Sequence, residues 1–466
     1  MRLGTLLGPD LKQILKEDPE QVNALLDDIH AEDLADILGE LEPDEIAVIL
    51  GKLPAEEAAP IFERLDAPEQ EDLVERMAPE SIAHIASEMA PDDRADLFSV
   101  LPEAVGDKLL VELTRVDPEA AEDVRQLEKW PETSAGHLMT TSFVSVSPDV
   151  TVADAVLAVR KHVEDRDEQI YNVYATRRNQ LEGIVPLRDL MLASPSQKLW
   201  EILRTQIISV TPETDQEEVA RRMAKYDLNV MPVIDGGGVL LGVITIDDVI
   251  DVLTQEQTED VQRLGAVEPL DVPYFQTSFW TFIRKRAGWL IILFVEEFFT
   301  QTAMRHYDPI LEAVKGALLY VPLLISAGGN SGSQSSTLII RGLALGEIKM
   351  KDWWRVAFRE FGQGIVLGLI LSVIAVGRVL MYPDQHLLFA LTVGLTLIGI
   401  VVTGCTIGSM LPVVMKRLGV DPATSSTPFI ASITDTLGVI IYAHVAMIVM
   451  RQVIEYAANH PATACP

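Results

Sequence analysis

From about Trp289 onward this 466-residue chain is dominated by long apolar stretches, at roughly 287–305, 314–341, 356–380, 386–415 and 425–450. Each is near or above the ~20 residues a helix needs to cross a bilayer core. Five spans place the two termini on opposite faces. With the N-terminus inside, ten basic residues, Arg284 to Arg286 and Arg355 among them, fall in the inner loops and four (Arg305, Lys315, Arg378, Arg451) in the outer ones. That asymmetry predicts a multi-pass protein of the cell membrane whose preceding residues are cytoplasmic. The start, MRLGTLLGPDLKQ, has no apolar signal core, so no cleaved leader is expected.

Charge is uneven. There are 37 basic and 69 acidic residues, net -32, and most carboxylates precede residue 270. Such a body does not neutralise phosphates, which argues against nucleic acid, and it suits the collection of cations. Two cysteines, Cys405 and Cys465, cannot build a disulfide framework.

Residues 1–130 read as an acidic, all-α superhelical domain. Pro followed by acids recurs from Pro43, Pro54, Pro68, Pro79, Pro91 and Pro102, at steps of 11, 14, 11, 12 and 11 residues. Pro suits the first helical position and acids the first turn. Ile46, Ile49, Leu50 and Leu53 have the spacing of one helical face. Short stacked helices follow, their superhelical hand left open.

Residues 135–252 read as two copies of an α/β unit: strand, Pro-containing turn, helix, two strands joined by a polar turn, closing helix. The second copy runs IISVTPETDQEEVARRMAKYDLNVMPVIDGGGVLLGVITIDDVIDVL. The pair resembles tandem CBS domains, which implies a regulatory sensor. In CBS pairs Tyr171, Arg188 and Asp189 sit where adenine nucleotide is often held, so ATP is a candidate ligand. Residues 253–278 read as a connecting helix and 279–466 as a five-helix membrane domain.

Asp435 is the foremost candidate for chemistry. It lies within ASITDTLGVIIYAHVAMIVM, with no basic residue in that span before Arg451. A carboxylate at membrane depth is costly and usually faces a pathway or a partner. Asp421 opens the same segment as Asp-Pro, either as a helix entry or as a cation-concentrating pore mouth. Gly328, Gly329, Asn330, Gly332 and Gln334, within PLLISAGGNSGSQSSTLIIRGLALGEI, suit both a close helix seam and a polar pore lining. Asn330 and Gln334, four apart, share a face. His444, a lone His on an apolar helix, reads as a packing residue.

Gly328-Gly329-Asn330 with Gly332 and Gln334, Ala344-Leu345-Gly346-Glu347, and Asp421-Pro422-Ala423 followed by Pro428 and Asp435 to Tyr442 resemble the MgtE magnesium channel/transporter signature. The domain order matches too. The resemblance implies a homodimer with a pore on its two-fold axis, Asp435 facing the ion, and Ala431 and Thr427 on the same wall. Thr427 stands where Asn is common in the family, and Ser333 where Asn often precedes Gln334; both keep a short oxygen-bearing side chain.

Mg2+ prefers oxygen ligands and sheds water reluctantly, so one carboxylate per subunit suits a hydrated ion. No Cys, His or Met cluster of soft-metal spacing accompanies it, and selection against Mn2+ or Co2+ is not written in the sequence. The connector, DDVIDVLTQEQTEDVQRLGAV, carries Asp247, Asp248, Asp251, Glu256, Glu259 and Asp260. It reads either as a solvated helix or, by the resemblance, as the plug that closes the pore. Acids on it, on the CBS pair (Glu217, Asp227) and on the first domain (Asp92, Asp96) would then be bridged by cytosolic Mg2+ in the closed form. Two other readings are an H+- or Na+-coupled transporter using Asp435 as proton carrier, and a membrane-anchored nucleotide sensor. No nucleophile–base pair or phosphate loop points to an enzyme.

Overall fold

A computed structural model describes residues 29–459 except 40, 166–168, 271, 273, 276, 315, 383–385 and 425–426. The start of the expected first domain, Lys315 and Cys465 lie outside the described residues. Two compact units emerge, one up to Gln255 and one from Glu256.

The first unit opens with eight short helices: α1 (Ala31–Leu38), α2 (Pro43–Leu50), α3 (Ala55–Phe62), α4 (Ala67–Arg76), α5 (Pro79–Glu88), α6 (Pro91–Val100), α7 (Glu103–Val116) and α8 (Pro118–Leu127). Pro43, Pro79 and Pro91 take the first helical position, Pro68 the second, and Pro54 and Pro102 the cap just before it. Each site tolerates the missing N–H, and acids follow in the first turn. A helix of two turns cannot bury its apolar face alone. Here α1, α3, α5 and α7 stack in sequence, as do α2, α4, α6 and α8, and α7 meets α8. Ile46, Ile49 and Leu50 are fully inside, with Leu53 at the margin. Arg94 on α6 is 2% exposed; it donates to the carbonyls of Ala86 and Met89, both at 2.6 Å, and pairs with Asp123 at 3.6 Å. Its hydrogen bonds fasten the end of α5 to α6, compensating a buried charge.

The α/β part begins with α9 (Ala135–Leu138). Copy one contributes β1 (Ser145–Val146), α10 (Val152–Asp165), β2 (Asn172–Arg177), β3 (Gln180–Pro186) and α11 (Leu187–Leu192). β1 runs parallel to β2, and β2 antiparallel to β3. Copy two has α12 (Gln216–Tyr226), then β4 (Val230–Ile234) antiparallel to β5 (Leu240–Thr245). Its expected leading strand is only a bridge, Val210 to Val233, because Pro212 ends the ladder two residues on. The copies interlock through paired backbone bonds between Thr140 and Val243, and through Leu240 N–H to the Asn179 carbonyl.

The expected boundary between CBS pair and connector is not a break. One helix, α13 (Ile246–Leu264), closes the second copy and runs on through the connector's acids. Nothing between 246 and 264 interrupts it; Gly265 and Ala266, the latter at φ 57°, end it, and among the described residues of the expected connecting helix none from Gly265 to Ser278 is helical.

The second unit contains α14 (Phe279–Glu312), α15 (Val321–Ala344), α16 (Trp353–Leu380), α17 (Leu387–Arg417), α18 (Thr427–Val449) and the short α19 (Arg451–Asn459). The second span, expected from 314, starts at Val321 after Gly316 (φ 84°) and a 3-10 turn, Ala317–Tyr320. Of the five long helices, α16, α17 and α18 are apolar enough to cross a membrane by length and composition. α14 carries Glu296 and Glu297, and α15 its run of Gly, Ser, Asn and Gln, which lowers their hydropathy. α17 is the hub, packed on α15, α16 and α18. Glycines permit that approach. A Cβ on Gly404 would lie 2.5 Å from the Gly328 carbonyl oxygen, and one on Gly364 2.8 Å from Val402 Cα. In lipid, where apolar burial drives little, such backbone proximity supplies the packing energy.

Candidate functional site

Asp435 lies two turns into α18, half-buried, and makes no hydrogen bond or ion pair among the described residues. The helix facing it is α14. Glu297 there is near enough for its charge to act on Asp435, and Glu296 feels both Glu297 and Asp435. One carboxylate oxygen of Glu296 is shielded from solvent without a hydrogen-bond partner. Thr300 and Thr436, their hydroxyls 2.7 Å apart, hold α14 in register with α18. Two further carboxylates, Glu296 and Glu297, therefore lie within electrostatic reach of Asp435, where the sequence reading named one. The signal was present: two adjacent acids within an apolar stretch are as costly as Asp435.

Gly328 and Gly329 are buried against α17 and α18, a Cβ on Gly329 falling 3.2 Å from that of Ala431. The seam reading of these two glycines describes their surroundings. Asn330 and Gln334 are exposed on the opposite side, Asn330 reaching Ser326 at 3.5 Å. Ser333 donates to the Thr427 carbonyl at 3.4 Å. Thr427 and Ala431 thus line the α15–α18 seam. His444, exposed on α18, bonds the Ile440 carbonyl at 2.7 Å and meets the Tyr307 ring edge to face.

Asp421 serves two elements. One carboxylate oxygen accepts from Ala423 N–H at 2.9 Å, capping the turn Pro422–Thr424. The other pairs with Arg263 in the last turn of α13, which also holds Glu259 at 2.8 Å. Asp260 alongside has its carboxyl pushed up by burial and by the negative charge of Asp421 and Glu256.

The first unit gathers a separate set. Asp93 on α6 is pushed up to about 8 by burial and by the charges of Glu63, Asp248 and Asp96. Asp248, at the first turn of α13, is raised to about 6 by burial and by Asp247 and Asp251, although it also accepts from Thr245 as a helix-capping group. Asp251 is raised by burial, Asp247 and Glu32. Asp96 is bonded to His137 at 3.0 Å. Beside Asp92 and Asp96, which the sequence singles out on α6, Asp93 between them also feels the charge of Asp248 on α13, as Asp251 feels that of Glu32. Glu217 lies 3.6 Å from Arg221, and Asp227 ends α12 in the left-handed conformation at φ 52°. Glu256 lies beyond the first unit with Glu259 and Asp260. Among the described residues, no three His, Cys, Asp or Glu are grouped closely enough to hold a metal by themselves.

Of the nucleotide candidates, Tyr171 lines a small cleft with Ser142, Phe143, His162, Tyr174 and Thr245. Arg188 and Asp189 do not line it; they open α11, and Asp189 pairs with Arg204 at 2.5 Å.

Family models match in chain order: MgtE intracellular N domain over 29–133, CBS domain over 135–196 and 199–255, and MgtE divalent cation transporter over 321–445. The magnesium transporter MgtE of Thermus thermophilus is 41% identical over 339 residues, covering 72% of this chain and 75% of that one. The Bacillus subtilis magnesium transporter MgtE is 30% identical, covering 76% and 78%. A crystal structure of the cytosolic domain of the Mg2+ channel MgtE in complex with ATP is 34% identical with TM-score 0.50, covering 53% of this chain and 99% of that one. Three domain types in one order, and identity sustained across both the soluble and the membrane portions, have a single reading. The chain belongs to the MgtE family of divalent cation transporters, as a multi-pass membrane protein with cytoplasmic N-terminal domains.

Proposed function

We propose that this chain conducts hydrated Mg2+ across the cell membrane as a homodimeric, self-gated pore. The observation that carries the reading is Asp435: a carboxylate within a membrane helix, without a hydrogen bond or ion pair among the described residues, in the field of Glu296 and Glu297. A group so placed is stabilised by a cation. Among the described residues no three acids are grouped closely enough to replace the water of Mg2+, which supports passage of the ion with its hydration shell. Magnesium transport by the relatives named above supports the choice of ion.

Gating falls to the cytosolic acids. Asp93, Asp96, Asp248 and Asp251 repel one another at low Mg2+ and are drawn together when the ion enters, so binding favours one state. The Arg263–Asp421 pair supports a role for the connector helix in closure, since Asp421 leads into the helix that bears Asp435. Glu217, Asp227, Asp247, Glu256, Glu259 and Asp260 complete the regulatory charge. ATP, the ligand of the solved cytosolic domain, is read as a second effector at the cleft beside Tyr171.

The test is bilayer current from the purified full chain with Mg2+ as the sole permeant cation. Native current should close as cytoplasmic Mg2+ rises, disappear in Asp435→Ala, and resist closure in the double variant Asp248→Asn, Asp251→Asn. Flux that requires a pH or Na+ gradient would instead make it a coupled transporter. Unaltered closure in the double variant would remove the sensor role of those two acids.

A further inference from the structure

The first turns of α16 combine features that its membrane span does not require. Trp354 and Phe358 are one helical turn apart and touch edge to face, 49% and 73% exposed. Arg355 and Arg359 have the same spacing on the same side. Arg355 lies over the Trp354 ring at 5.6 Å with its side chain 70% exposed, and among the described residues it pairs with Asp352 alone, at 3.7 Å. Arg359 is exposed and makes no ion pair among the described residues. The acid that follows, Glu360, points the other way: it is 5% exposed and accepts from Ser335 of α15 at 2.6 Å.

Depth decides what meets these guanidiniums. Residues 361–377 carry no charge, about 26 Å of helix and close to a hydrocarbon core. Arg355 and Arg359 therefore stand at headgroup level on the cytoplasmic side. Below them, on the continuing stripe, Val366, Ile370 and Val373 are exposed, as acyl chains would need. The other end of the helix differs. Arg378 is taken up by Tyr382, bonded to its hydroxyl at 2.5 Å and stacked 4.5 Å from its ring.

We propose that this face of α16 binds an anionic phospholipid, its phosphodiester between Arg355 and Arg359 and its chains along the apolar stripe below. Aromatic rings at both flanks suit the interface, and an anionic headgroup supplies the charge the helix lacks. The inference is independent of which ion the chain carries.

The experiment titrates the full chain, purified in neutral detergent, with phosphatidylglycerol or with phosphatidylcholine of the same acyl chains. Lipid retention is read by native mass spectrometry and thermal unfolding in parallel. Phosphatidylglycerol should be retained preferentially and raise the unfolding temperature. R355Q/R359Q should lose roughly 25-fold in retention, about fivefold per arginine, while R378Q keeps it. Equal retention of both lipids by the native chain overturns the proposal even if the double variant does not fold. So does a double variant that binds like the native chain, an equal shift from inorganic phosphate alone, or a double variant that changes oligomeric state with its lipid retention intact.

Discussion

The two units handle negative charge in opposite ways. In the first, acids are many and placed against one another: Asp93 is surrounded by Glu63, Asp96 and Asp248, and Asp248 by Asp247 and Asp251. Each is tuned by its neighbours, so no single one is indispensable. In the second, acids within the helices are few, and each has its own setting. Glu360 is tied to Ser335, and Asp421 to Arg263 and Ala423. Among the described residues Asp435 has the field of Glu296 and Glu297 and no hydrogen bond. A crowd of carboxylates gives a graded response to cations; an acid set apart at membrane depth makes one position critical.

Substitution at the solitary position should have the largest effect. Asp435→Asn should reduce Mg2+ flux into proteoliposomes to background while leaving expression and unfolding temperature near native values. Retained flux would end the contrast between the units. Next comes the seam that holds the membrane helices. Gly404→Val should cost about 1–3 kcal/mol or more by driving its side chain into the Gly328 carbonyl, read as a fall in unfolding temperature in detergent.

The crowd should answer in smaller, pH-dependent steps. Asp93 has a folded pKa of about 8 against 3.8 for the free group, so the folded state holds the extra proton between those values. Stability of the first unit therefore falls as pH rises from about 4 to 8. Asp93 is exposed at the surface of α6, so solvent screens most of that effect; Asp93→Asn should recover no more than about 1 kcal/mol at pH 8 and flatten the slope, measured by denaturant unfolding without divalent ions. A mutant slope equal to the native one would show that Asp93 does not govern it. Smallest is Arg263→Gln. An ion pair about one-third exposed contributes about 0.5–1 kcal/mol, so closure by Mg2+ should move only severalfold.

Much of this was legible in the chain. The Pro-acid repeat announced stacked short helices because Pro and first-turn acids act locally, through a missing N–H and the helix dipole. The membrane spans announced themselves by length. Asp435 stood out because one charge in an apolar run has no ordinary explanation. What escaped depends on long-range phase. Asp93 feels the charge of Asp248 because two rotations, of α6 and of α13, bring those faces together, and neither rotation is written in composition. The end of the connector escaped differently: Gly265 stops α13 at Leu264, while acids and apolar residues alone suggested a longer helix. Glu296 and Glu297 are concealed by the apolar residues on either side, which keep their stretch span-like in length despite the two charges.

The stacking of α1 to α8 has a mechanical consequence. Each helix leans chiefly on its second neighbour, so stability in the array is nearly a sum of local terms and loosening can start at an end. Glu32 on α1, Glu63 just past α3, and Asp93 with Asp96 on α6 are distributed along it. Charge removed at any one of them tightens its own stretch without demanding that the whole domain move at once. The domain is in this sense a spring with several adjustable coils, whose amide-exchange protection should grade from one end to the other and not switch as a block.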